Sequence, residues 1–357
     1  MKNICFIIES MQGGGTQKNL DYLIRNLAKN KAINVSLLTL NSQENDAFKL
    51  GKEIRRFSLQ LNKHSESTIN AINNNYQRIY KLRRFFKENK FNTVVSFLTS
   101  TNILTIISTL GLESKIIICE RNDPYRQKIK IYWRVLRFLF FGLCDKLICN
   151  SSKSSKFFSN RGLKKKVRVI PNFIYLNKKS SKCSKKNFFL AIGRLHRQKD
   201  FDLLIDSFSI FLKSISKYDL IILGEGPERD YLQKKINSLG LEKKVILPGH
   251  QNPHQYFKNC SLYISCSRYE GVSNATLEAM HYKIPIIVTQ SQEGMHDYLK
   301  DNFSALFSPN NSMSLANKIK LLINDNDLSR KISKNAFSKI NLIDNNKIKN
   351  MWYSELL

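Results

Sequence analysis

"LYISCSRYEGVSNATLEAMHYKIPIIVT", Leu262–Thr289, reads as strand, loop, helix, strand. Leu262–Cys266 and Pro285–Thr289 are short apolar runs of the kind a strand buried on both faces needs. Asn274–His281 between them carries a helical pattern. Two buried strands bridged by a helix predict a parallel βαβ unit, because parallel neighbours require a crossover.

The alternation extends upstream and downstream. In the second half, strands are predicted at Phe188–Ile192, Leu220–Leu223 and Val245–Leu247, and helices at Phe201–Leu212, Arg229–Leu239, Ser312–Ile323, Asp327–Leu342 and near Lys347–Leu356. The first half repeats the pattern. Strands fall at Asn3–Ile8, Asn34–Leu40, Thr93–Phe97, Lys115–Cys119, Lys146–Asn150 and Val167–Ile170; helices fall at Thr16–Lys29, Tyr76–Asn89, Thr101–Leu110 and Ile129–Phe141. "YLNKKSSKCSKKN", Tyr175–Asn187, is polar and basic and reads as a linker. The expectation is therefore α/β, with two Rossmann-like parallel domains facing across a cleft, residues 1–180 and 181–342. A C-terminal helix in 343–357 follows, for which packing back on the first domain is one option.

Composition limits the function classes. The chain has 357 residues, enough for two cores, and a formal net charge of +30. Residues 1–180 hold 33 Lys/Arg against 11 Asp/Glu, and residues 181–357 hold 25 against 17, so the excess belongs mainly to the first half. A field of that sign favours polyanions: nucleic acid, an anionic membrane face or a phosphate-bearing substrate. No apolar run reaches the length of a membrane span, and "MKNICFIIES" reads as a first strand rather than a signal peptide. Seven cysteines, an odd number without CxxC, point to reduced core thiols and a cytosolic setting. His250 and His254 have i, i+4 spacing, but Gly249 and Pro253 mark that segment as a loop rather than a metal-binding helix.

The strand ends carry the chemistry. After the first strand, "ESMQGGGTQKNL" places Gly13, Gly14 and Gly15 before a helix; this suits a phosphate-binding turn or a plain tight turn, and is neither GxGxxG nor a P-loop. "AIGRLHRQKDF" brings Arg194 and Lys199 to the end of a strand, two cations such as a diphosphate needs. In the opening stretch, a helix beginning near Ser273 turns the amides of Gly271, Val272 and Ser273 outward, which suits an anion. Glu270 stands before that helix and Glu278 inside it, and carboxylates accept paired hydrogen bonds from sugar diols. No DxD metal motif stands out, since Asp325–Asp327 reads as a turn and N-cap.

These residues together resemble the retaining GT-B glycosyltransferases of family 4, especially bacterial enzymes that extend lipid-linked oligosaccharides, O-antigen and capsule units. The likeness covers nearly the whole chain, and "SRYEGVSNATLEAMHYKIPIIVT" is its most specific piece. The resemblance implies that Arg194 and Lys199 grip the donor diphosphate and that Glu278 takes the ribose hydroxyls. It implies that Glu270 takes the hydroxyls of the transferred sugar, while the backbone of Gly271, Val272 and Ser273 holds the phosphates. It places Gly14 and Gly15 at the donor, His250 and Gln251 around the nucleobase, and Lys18, Arg121 and Asn122 on the acceptor side. Where many relatives have a His, "CERNDPYR" has Arg121, which cannot act as a general base near neutral pH. No cofactor or metal is implied.

The expected partners are a nucleotide sugar, a polyprenyl-diphosphate-linked saccharide and an anionic membrane surface, with no specific nucleic acid. The membrane expectation rests on "YQRIYKLRRFFKENK", Tyr76–Lys90, and "WRVLRFLFF", Trp133–Phe141. The basic helix fits equally a sheet-covering element with a solvated face. Two rivals remain on sequence alone: a nucleic-acid binder, motivated by charge only, and a GT-B protein that binds or epimerises a nucleotide sugar without transfer.

Overall fold

The computed structural model describes residues 1–44, 46–61, 68–174 and 186–357, without the side chains of 68–72. The chain forms two compact units, Met1–Phe173 with Asn345–Leu357, and Ile174–Asp344. Most of the predicted linker lies outside the described residues.

The first unit runs β1 (Lys2–Ile8), α1 (Gly15–Ala28), β2 (Ile33–Thr39), β3 (Arg55–Ser58), α2 (Thr68–Asn89), β4 (Thr93–Phe97), α3 (Thr99–Thr109), β5 (Lys115–Glu120), α4 (Ile131–Phe140), β6 (Lys146–Cys149), α5 (Ser152–Phe158) and β7 (Val167–Val169). The second runs β8 (Phe188–Ile192), α6 (Phe201–Leu212), β9 (Asp219–Leu223), α7 (Arg229–Ser238), β10 (Val245–Ile246), α8 (Pro253–Asn259), β11 (Leu262–Ser265), α9 (Asn274–His281), β12 (Ile286–Thr289), β13 (Leu306–Ser308), α10 (Ser312–Asn324) and α11 (Asn326–Asn341). The closing helix α12 (Asn345–Leu356) belongs to the first unit.

Among the described residues the sheets are ordered β3-β2-β1-β4-β5-β6-β7 and β10-β9-β8-β11-β12-β13, and every pairing between these strands is parallel. Period-2 alternation sends successive strand residues to opposite faces. In the second unit Phe189, Ala191, Leu262, Ile264 and Ile287 join one core, and Phe188, Leu190, Tyr263, Ile286 and Val288 join another. Both faces are therefore apolar, as a parallel sheet requires. Each sheet also reverses its strand order once, between β1 and β4 and between β8 and β11. Loops leaving the carboxyl ends of such neighbours diverge to opposite faces and open a crevice where ligands bind.

Several expectations need correction. The segment read as a loop around His254 is helix α8: Pro253 sits in its first turn and Asn252 caps it, its Oδ1 accepting from His254 N at 3.1 Å. Strands β3 and β13 and helix α5 were not predicted. Asp325 does cap α11, accepting from Leu328 N at 2.8 Å. The six described cysteines are free and buried. On α2, Leu82 and Phe86 are buried and Arg83 donates to Leu110 O at 2.7 Å and Ser108 O at 3.2 Å, so Arg83 secures the end of α3.

Helix α12 fastens the first unit. Ile348, Trp352 and Leu356 are buried on it, and Lys115 Nζ donates to Glu355 O at 2.6 Å. The Arg121 guanidinium carbon lies 5.6 Å from the Trp352 ring centre and 5.5 Å from that of Phe97, a cation–π arrangement inside the unit. Trp352 is 1% exposed, so Trp352→Ala should cost about 3–5 kcal/mol. Urea denaturation followed by a probe in each unit checks this. The first unit's transition should shift to lower urea while the second stays; an unshifted first transition would refute it.

Candidate functional site

The second unit gathers its predicted residues along one sheet edge. The loop after β8 and the loop after β11 leave the two strands at which the order reverses. They are tied together at several points. Arg268 N donates to Gln198 O at 2.8 Å, Gln198 Nε2 donates to Tyr269 O at 3.0 Å, and Arg268 pairs with Asp200 at 2.8 Å. Asp200 precedes α6 in the left-handed region, at φ 53°.

At the centre, Lys199 Nζ lies 2.6 Å from Glu270 Oε2, and the same oxygen accepts from Ser267 Oγ at 2.8 Å. The two side chains are largely shielded from water, so each charge depends on the other more than a surface pair would. Arg194, two residues beyond the end of β8, is exposed and makes no side-chain hydrogen bond or ion pair with any described residue. One cation is thus held by an internal carboxylate and a second stands uncommitted beside it in sequence.

The helix after Glu270 forms as the sequence predicts. Ser273 caps α9, its Oγ accepting from Thr276 N at 3.4 Å. Its own amide meets only the Met295 thioether, at 3.3 Å, a weak acceptor that an anion can outcompete. Gly271, Val272 and Ser273 are buried. Glu278, one turn into α9, is 9% exposed. Burial, with the Glu278 carboxylate adding to it, pushes the Tyr282 phenol up to about 12.

Two glycines let the loops converge. A Cβ at Gly294 would stand 1.5 Å from the Gly271 carbonyl oxygen, so the β12 loop presses its bare backbone against the Glu270–Gly271 turn. A Cβ at Gly224, where φ is 140°, would stand 2.0 Å from Gly193 O. Gly224 N in turn donates to Gly249 O at 2.9 Å, joining the next loop, on which His250 and Gln251 are exposed. Gln251 Nε2 donates to Pro248 O at 3.2 Å.

Sequence reasoning missed the support beneath Glu270. Thr289 and Ser291 hydroxyls both donate to Ser267 O, at 2.9 and 2.6 Å, and Gln292 exchanges hydrogen bonds with Ser265 at 2.9 and 2.7 Å. The signal was there as "TQSQ", a polar run directly after a buried strand.

The first unit holds the other predicted residues. Gly14 (φ 131°) is the N-cap of α1 and Gly15 its first residue, both exposed, with Lys18 one turn on. Arg121 and Asn122 follow β5. Arg121 is buried, its Nη1 donating to Asn172 Oδ1 at 3.3 Å between the rings of Phe97 and Trp352. Asp123 Oδ1 accepts from Tyr125 N at 2.9 Å, a turn-forming bond. Glu120, fully buried, accepts from Thr99 Oγ1 at 2.6 Å, and burial raises its carboxyl above the usual range. Among the described residues no group of three or more His, Cys, Asp or Glu is placed to hold a metal ion.

Comparison with known proteins bears on both units. The family described as "Glycosyltransferase Family 4" matches residues 13–178, and "Glycosyl transferases group 1" matches residues 175–339. Over 99% of its length the chain is 28% identical to a GalNAc-alpha-(1->4)-GalNAc-alpha-(1->3)-diNAcBac-PP-undecaprenol alpha-1,4-N-acetyl-D-galactosaminyltransferase of Campylobacter jejuni, covering 97% of that protein. It is 24% identical to an amylovoran biosynthesis glycosyltransferase of Erwinia amylovora, over 85% of both. The fold matches that of Staphylococcus aureus TarM, solved with UDP, at a TM-score of 0.81 and 14% identity over the full length of both chains. It also matches Anabaena HepE with UDP and glucose, at 0.78 and 17% over 100% of this chain and 99% of that one. Two family matches that together run from residue 13 to residue 339, on two parallel-sheet units of this topology, place the chain in the GT4-like glycosyltransferases of the GT-B fold.

Proposed function

We propose that this glycosyltransferase acts with retention, moving a hexose or N-acetylhexosamine from a UDP-sugar to a polyprenyl-diphosphate-linked saccharide. The observation that carries the donor assignment is the Lys199–Glu270 pair, made between the two loops that leave the reversal of the second sheet, with Arg194 nearby in sequence and the α9 amino terminus following. Glu270 there occupies Lys199 as an anion; a donor diphosphate is a stronger anion with more acceptor oxygens. On its arrival Lys199 and Arg194 turn to the diphosphate, the Gly271–Ser273 backbone donates to it, and Glu270 is released to accept hydroxyls of the sugar. Glu278 accepts the ribose hydroxyls, and His250 and Gln251 flank the base. The lipid-linked acceptor is supported by the relative that acts on a PP-undecaprenol saccharide; Lys18, Arg121 and Asn122 are assigned to it.

In the transfer, the bond between the anomeric carbon and the β-phosphate oxygen breaks. The acceptor oxygen forms the new bond on the same face, and its proton passes to the departing phosphate oxygen. Negative charge developing on that oxygen is met by Lys199, Arg194 and the helix end, which fill the part a metal plays elsewhere. Truncating a carboxylate that accepts such bonds costs about 1.5–3 kcal/mol, roughly ten- to a hundredfold. Glu278→Ala should raise the KM for donor by that order with kcat largely kept, and Glu270→Ala should lower kcat. Both should hold in EDTA. Wild-type kinetics in both variants would refute the site, and activity lost in EDTA and restored by Mn²⁺ would refute metal independence.

We also propose that the first unit works on the anionic inner face of the cytoplasmic membrane. No described helix is long and apolar enough to cross a membrane. On α4, Ile131, Val135, Phe138 and Leu139 are exposed, Phe138 at 78%, Arg134 lies among them, and Lys128 and Lys130 directly precede the helix. An apolar face within a basic field suits an interface rich in acidic lipid. Binding to phosphatidylglycerol vesicles should fall steeply with salt, since each basic contact is worth about 1 kcal/mol, and should drop in Phe138→Ser/Leu139→Ser. Sedimentation that ignores both acidic lipid and the substitutions would contradict it.

A further inference from the structure

Beside that face, the first unit contains a cavity of about 690 Å³ lined by Arg134, Arg137, Arg161, Val135, Phe138 and Phe157 among others, with no carboxylate in its lining. Three arginines thus border one largely apolar space, with Arg161 also donating from Nη1 to Phe157 O at 3.0 Å. Arg137 is only 7% exposed, the buried residue of α4. Its Nη2 reaches Pro124 O at 3.5 Å, the outer limit of a hydrogen bond, and its buried Nη1 has no hydrogen-bond partner among the described residues. Burial lowers its pKa; Glu120 opposes this, while the charges of Arg161 and Arg134 add to it. Glu120, the carboxylate whose charge acts on it, is itself buried, and burial raises its carboxyl above the usual value. Like charges held together this way leave the cavity short of negative charge, which an anion would supply.

The walls define the rest of the ligand. Arg137 lies over the rings of Phe157 and Phe158, at 5.2 and 6.0 Å, and Arg161 lies 3.6 Å from the Phe157 ring centre. Val135 and Phe138 line the cavity and are also exposed on the outer face of α4, so its wall runs into that face.

We propose that this cavity is a binding site for one phosphate-bearing amphiphile, its phosphate among Arg134, Arg137 and Arg161 and its chain running out over Val135 and Phe138. The site is independent of the donor assignment; it deepens the membrane and lipid-linked acceptor reading of the first unit and rests on it, and vesicle sedimentation tests that reading separately from the titration of soluble amphiphiles below. The shared chemistry, a phosphate ester on an apolar chain, has two sources: a bilayer phospholipid and an isoprenoid diphosphate.

Calorimetric titration of the full chain below micelle concentrations tests it, with dihexanoyl-phosphatidylglycerol, farnesyl diphosphate and inorganic pyrophosphate as probes. Replacing Arg137 risks the fold, so the variants are Arg134→Gln/Arg161→Gln, which removes exposed charges, and Val135→Trp, which obstructs the wall. At least one amphiphile should bind at one equivalent and lose about tenfold or more in affinity in each variant. Tighter binding of farnesyl diphosphate would name the isoprenoid source, and tighter binding of phosphatidylglycerol the bilayer. Pyrophosphate binding as tightly as farnesyl diphosphate, unchanged affinity in either variant, or no binding of any amphiphile would overturn the proposal.

Discussion

The loop edge of the second sheet depends on places where backbone meets backbone because no Cβ intervenes. Gly294 against Gly271 and Gly224 against Gly193 allow the loops after β12, β11, β9 and β8 to touch at one sheet edge. At the same edge the Glu270–Ser273 turn meets Lys199, which pairs with Glu270 at 2.6 Å. Parallel order supplies the larger frame, since it puts the carboxyl ends of the strands on one edge and the reversal between β8 and β11 opens the crevice there.

Charge is placed unevenly on this frame. In the second unit the cation Lys199 is matched by an internal carboxylate, Glu270, which under the proposed function exchanges places with the donor diphosphate. In the first unit the opposite holds. Arg137 and its two neighbours line one cavity without a carboxylate among its walls, and apolar side chains face outward on the same helix. The asymmetry of charge between the halves of the sequence therefore has a local counterpart at α4.

Much of this was legible in the sequence because parallel strands announce themselves as unbroken apolar runs. The βαβ reading of Leu262–Thr289 gave β11, α9 and β12 to within a residue at each end. What failed has physical reasons. "RRFS" at β3 has no apolar run, since an edge strand needs burial on fewer sides, and β13 is only three residues long. Pro253 was weighed as a helix breaker, yet at the first turn it forfeits no hydrogen bond and fits the required φ. Lys199 and Glu270 were readable as charges at strand ends, but a contact across 71 positions has no local signature. The hydroxyl and amide network under Ser267, the packing of Trp352 on Arg121, and the buried arginine on α4 are likewise products of tertiary assembly.

Under the proposed function, Glu270 holds Lys199 in the place of the donor diphosphate. The most direct measurement is calorimetric titration of UDP, which lacks the sugar, into the wild-type chain and into Glu270→Gln. Removing a carboxylate that competes for Lys199 should tighten UDP binding by about tenfold, the scale of one charge-assisted hydrogen bond, even as transfer falls. UDP binding that is unchanged or weaker in Glu270→Gln would contradict the account.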